Sequence, residues 1–120
     1  MEITLIQQYF CIMTNMMEDE AVQYQPIMEA AGNYIDLLCG RKQLDTEQDV
    51  KAVHYAAAAR AFRDYTALCV SLEPSFEAGD LKVTQYNGRL DAAERLYQEA
   101  LQGISHLVVS DSWMLERVVS

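Results

Sequence analysis

Between Gly88 and Val109 apolar residues return at intervals of three and four: Leu90, Ala93, Leu96, Tyr97, Ala100, Leu101, Ile104, Leu107 and Val108. Asp91, Glu94, Arg95, Gln98, Glu99 and Gln102 fill the intervals. That spacing lays one apolar stripe along a helix and a polar face opposite it. A helix of this kind is held mainly by burying its stripe against partners. The rest of the chain must therefore supply elements with matching faces.

Most of it does so as helix. In residues 3–17, Ile6, Tyr9, Phe10 and Met13 fit one helical face, and Ile3, Leu5, Ile12, Met16 and Met17 make other faces apolar too. Such a helix is deeply buried or covered by another subunit. Asp19, within Glu18-Asp19-Glu20, is the expected N-cap of a second helix reaching Cys39. Tyr24, Ile27, Met28, Ala31, Tyr34, Ile35 and Leu38 form its stripe. Pro26 either kinks this helix or marks its true first turn. Gly40 is the expected C′ residue, with Arg41 and Lys42 favourably placed at a helix C-terminus.

The third helix opens at a capping box, either Asp45 with Gln48 or Thr46 with Asp49. Val50, Val53, Ala57, Ala61, Tyr65 and Leu68 follow on one face, and Ala56 to Ala59 are four small residues in a row. Small side chains let neighbouring helices approach closely, so this is the expected central helix. Between the last two long helices, residues 71–87 read as an insertion. Pro74, Gly79 and Asn87-Gly88 punctuate it, and Leu81 and Val83 alternate with Lys82 and Thr84 as a short strand would. A lone strand needs a partner, within the chain or in a neighbouring subunit.

The expected fold is thus mainly α: one domain over residues 1–120, a four-helix bundle-like core, and a short irregular or β insertion at 71–87. Residues 110–120 form a possible partner-docking tail. At 120 residues, 51% of them apolar, the chain is long enough for a core of its own. No apolar run approaches the length of a membrane span. Met1 to Leu5 has no basic flank and is not expected to be a signal peptide. Eighteen acidic against nine basic residues give a net charge of −9, which repels free nucleic acid and anionic membranes.

Catalytic and metal chemistry find few candidates. Cys11, Cys39 and Cys69 are an odd number, stand among apolar neighbours, and form no CxxC. They read as free thiols. His54 and His106 lie in predicted helices without carboxylates or thiols at ligand spacing. The five glycines are too scattered for a phosphate loop, and Glu18-Asp19-Glu20 lacks the alternation and glycine of a calcium loop. Neither catalytic residues, nor a metal, nor a cofactor is expected. Arg60 and Arg63, with Asp64 beside them, either pair within the chain or meet an acidic neighbour. Trp113 either covers the end of the bundle or anchors the tail in a partner's groove.

The order of these segments resembles that of the small head–tail connector, or adaptor, proteins of tailed bacteriophages and prophages. Tyr24 to Gly40 resembles the early helix of that family. Asp49 to Leu68 resembles its alanine-rich central helix. Phe76-Glu77-Ala78-Gly79-Asp80-Leu81-Lys82-Val83 resembles the segment before its last long helix, and Leu107 to Val118 its terminal segment, with an aromatic soon after the helix. The Met-rich start departs from the pattern.

The resemblance implies a structural, non-catalytic subunit. It would form a ring with copies of itself on the portal protein of a DNA-filled capsid and extend the DNA channel. A head-completion or stopper protein is a further implied partner, and DNA would pass without sequence-specific binding. The implied location is the head–tail junction of the virion, and the host cytoplasm before assembly. Trp113, Met114, Leu115 and Val118 would dock on the portal. Phe76, Leu81 and Val83, with Arg60 and Arg63, would meet neighbouring copies. The alternative is a small acidic helical module with a regulatory or chaperone-like role.

Overall fold

The computed structural model describes residues 1–41, 44–72 and 79–109, with the side chains up to 70 and from 88 onward in the two longest helices. Its elements are α1 (Ile3–Thr14), α2 (Glu18–Ala21), a 3-10 turn (Val22–Tyr24), α3 (Gln25–Leu38), α4 (Glu47–Leu72), α5 (Gly79–Gly103) and a second 3-10 turn (Ser105–Leu107). The fold is mainly α, as expected, and four long helices build it.

Helix α1 turns Ile6 and Phe10 into the core and stops at Asn15, which adopts a left-handed conformation (φ 59°). Asparagine tolerates this region better than most residues. The expected single helix from Asp19 to Cys39 is instead α2, a 3-10 turn and α3. Pro26 lies in the first turn of α3, where its missing N–H costs nothing. Asp19 is not the cap: Met17 precedes α2 in an extended conformation, and Asp19 accepts only the Glu20 amide, at 3.1 Å.

At the end of α3 the Gly40 N–H bonds the Leu37 carbonyl (3.0 Å) and the Arg41 N–H bonds the Asp36 carbonyl (2.8 Å). With Gly40 at φ 69° these bonds form a Schellman closure. The Leu38 carbonyl is met by the Val109 N–H at 2.9 Å, so the segment after α5 completes the cap. Of the two capping boxes expected for α4, Thr46 supplies the cap, its hydroxyl accepting the Asp49 amide at 3.1 Å.

Helices α1, α3 and α5 all pack on α4, which is the centre of the bundle. Ala56, Ala57, Ala58 and Ala59 are all fully buried. Four consecutive helical residues point in four directions. At this level α4 is therefore enclosed on every side, not along one stripe as the sequence suggested. Leu68, expected on that stripe, is 42% exposed.

The strand expected around Leu81 and Val83 is not formed. From Gly79 the backbone is helical, so α5 begins nine residues earlier than its amphipathic pattern indicated. A helix satisfies its backbone groups within the segment, whereas a lone strand leaves them unpaired. At its other end α5 stops at Gly103 and not at Val109, giving way to the 3-10 turn and an extended Val108–Val109. Ala93, Tyr97 and Ala100 are its buried stripe, continued by Ile104.

Candidate interaction surfaces

Arg60 and Arg63 stand one turn apart on α4, between Tyr34 of α3 and Tyr97 of α5. The Arg60 guanidinium carbon lies 3.6 Å from the centre of the Tyr34 ring and 5.5 Å from that of Tyr97. Its Nη1 donates to the Tyr97 hydroxyl at 2.9 Å. Arg63 lies 4.6 Å from the Tyr97 ring centre and pairs with Asp64 (3.1 Å) and Glu94 (3.4 Å). Cation–π contacts of this kind contribute about 0.5–2 kcal/mol each. The two arginines thus fasten α3, α4 and α5 together. The sequence left them either pairing within the chain or meeting an acidic neighbour; among the described residues both are engaged within the chain.

Tyr97 is fully buried, and burial raises the pKa of its hydroxyl, with Arg60 and Arg63 partly opposing the shift. Tyr65 is also raised, first by burial and then by its hydrogen bond with Cys69. It packs edge-on against Tyr24 and Phe10 with ring centres 4.8 and 5.8 Å away. The Tyr34 hydroxyl is buried with no hydrogen-bond partner among the described residues.

The histidines are structural in their contacts. His54 is buried; its Nδ1 donates to the Val50 carbonyl at 2.6 Å, which leaves Nε2 to accept the Glu2 amide at 3.1 Å. Both nitrogens are committed, and the ring anchors the start of α1 to α4. His106 pairs with Asp49 at 2.9 Å, tying the segment after α5 to the first turn of α4. That hydrogen bond is the main cause of the lowered pKa of Asp49. Cys39 is buried, Cys11 and Cys69 are half-buried, and all three are free thiols. No group of three potential metal ligands occurs among the described residues. No helix there is long and apolar enough to cross a membrane.

A cleft of about 340 Å³ opens between α1, α4 and α5, with Tyr9, Tyr55, Leu96 and Ala100 on its walls and Lys51 and Glu99 among its polar groups. A smaller one of about 190 Å³ lies beside Ile3, Ile6 and Gly32. The sequence expects this chain to present surfaces to partners.

Of the residues expected to make those surfaces, Phe76, Trp113, Met114, Leu115 and Val118 lie outside the described residues. Leu81 and Val83 fall in the first turns of α5. The sequence reading named Ile12 and Met17 among the surplus apolar faces of residues 3–17 but did not single out Val22; the fold leaves all three exposed around the corner between α1 and α2. The available signal was the excess of apolar faces in residues 3–17, more than one buried stripe can use. Compared with protein-family models, curated proteins and solved structures, the chain matches none.

Proposed function

We propose that this chain is a structural subunit of a phage or prophage head–tail connector, a ring that extends the DNA channel from the portal. One observation carries the reading. Helices α4 and α5 have 26 and 25 residues, about 39 and 38 Å, while α1 and α3 have only 12 and 14, about 18 and 21 Å. Among the described side chains, the last buried one in α4 is Thr66 and the first in α5 is Ala93. The two long helices are thus about twice the length of α1 and α3. Helices longer than their partners within the chain suit a subunit whose neighbours complete its packing.

In this reading Phe76, Leu81 and Val83 meet the next copy, and Trp113, Met114, Leu115 and Val118 dock on the portal. The net charge of −9 suits a conduit past which DNA must slide, since it limits adhesion to phosphate. Arg60 and Arg63 help hold the subunit's own scaffold together. The test is co-expression with the portal protein encoded beside it, followed by affinity capture of the portal. Wild-type chain should be retained, and Trp113→Ala with Met114→Ala should be lost while the circular-dichroism melt stays unchanged. Equal retention of both forms would remove the tail from the contact. Retention of neither would favour the acidic regulatory module.

A further inference from the structure

We propose that the corner between α1 and α2 is a docking surface for a protein segment carrying apolar anchors flanked by lysine or arginine. Ile12 and Met17 are 78% and 73% exposed, and Val22 adds a third large aliphatic side chain within eleven residues. Single exposed aliphatics are ordinary on protein surfaces, whereas a cluster marks an interaction site. Here all three surround one change of chain direction.

The corner is built to hold its shape. Asn15 closes α1, and the Met16 N–H bonds the Cys11 carbonyl at 3.1 Å. The Thr14 hydroxyl bonds the Phe10 carbonyl at 2.7 Å, and Gln25 bonds Gln7 at 3.0 Å across α1 and α3. Beneath lie the interlocked rings of Phe10, Tyr24 and Tyr65. A surface already fixed in place loses little entropy when a partner binds.

Charge decides the kind of partner. Glu18, Asp19 and Glu20 are exposed directly after Met17, and none of them forms an ion pair among the described residues. These three residues open α2, which packs directly against α1, the helix that carries Ile12. Apolar anchors beside three unpaired carboxylates complement a cationic amphipathic segment. A two-fold copy of this chain would set acidic cluster against acidic cluster. Anionic lipid would be repelled in the same way. The surface shares no residue with the proposed portal contact, and the inference does not depend on the connector reading.

The test uses two short model helices with the same leucine face, one flanked by lysines and one by glutamates, titrated into the full chain and followed by backbone amide shifts. The lysine-flanked helix should bind, with its largest shifts over residues 12–22. The glutamate-flanked one should not. Neutralising the corner with Glu18→Gln, Asp19→Asn and Glu20→Gln should weaken binding about tenfold or more at low salt and flatten its dependence between about 50 and 300 mM. Ile12→Ser with Met17→Ser should weaken it while leaving the salt dependence in place. Glu29→Gln, Asp45→Asn and Asp91→Asn, the same change of net charge at exposed sites elsewhere, should leave binding as it was. Shifts centred outside the corner, equal binding of both helices, equal loss with the control triple, or dimerisation of the chain through this face would each overturn the proposal.

Discussion

Replacing Gly40 with alanine tests how the end of the chain closes the bundle. The residue has φ 69°, where an L side chain costs about 1–2 kcal/mol. An added Cβ would stand 2.7 Å from Cγ2 of Val109, closer than any stable carbon–carbon contact. Val109 must then move, and its N–H gives up the 2.9 Å bond to the Leu38 carbonyl. A lost backbone bond costs about 1 kcal/mol. The sum is about 2–3 kcal/mol, or roughly 6–15 °C in Tm for a chain of this size. Urea denaturation followed by circular dichroism measures it, and Val109→Ala separates the parts. That change removes Cγ2 and leaves Cβ at an ordinary 3.9 Å from the new methyl. In the Val109→Ala background, Gly40→Ala should cost only the backbone share, leaving a coupling of about 1 kcal/mol between the two positions. Equal losses in both backgrounds would refute the reasoning, because the strap would then not be seated on α3.

Three further outcomes follow from the packing. Ala57→Leu should destabilise by about 1–3 kcal/mol, because α4 is enclosed all round there, whereas Ala92→Leu on the exposed side of α5 should change stability by less than about 0.5 kcal/mol; equal effects in urea melts would contradict the central place of α4. Gly88 lies inside α5 with nothing within 4 Å of an added Cβ, so Gly88→Ala should stabilise by about 0.5–1 kcal/mol, and a loss would show that the helix does not run through this position. The folded chain holds the phenolic protons of Tyr65 and Tyr97 more tightly than the unfolded chain does, so stability is fully present below about pH 10 and declines as pH rises through and above it; Tyr65→Phe should shallow that decline, and an unchanged slope between about pH 9 and 12 would contradict it.

The parts of the fold legible in the sequence were those set by spacing within one element. The buried stripe of α5, the Gly40 closure and the Thr46 cap each depend on residues a few positions apart. The sequence misled where an element's state depends on distant partners. Leu81 and Val83 alternate over too few residues to choose between strand and helix, and the backbone there continues α5. The all-round burial of Ala56 to Ala59 follows from three helices converging on one, which no window of α4 encodes. The same holds for Arg60 and Arg63. Their partners Tyr34, Tyr97 and Glu94 are 26 to 37 residues away, and only the fold brings them to the guanidinium groups.

The connector reading meets its most direct test in the molar mass of the chain measured by light scattering, alone and after mixing with the portal protein encoded beside it. A parallel run uses a chain truncated before Ser110. The account predicts a large complex with the full-length chain and none with the truncated one. A ring that orders only on the portal would leave the isolated chain monomeric, which agrees with this account. No association of either form, at micromolar concentration and moderate salt, would contradict it and leave a free-standing helical module in its place.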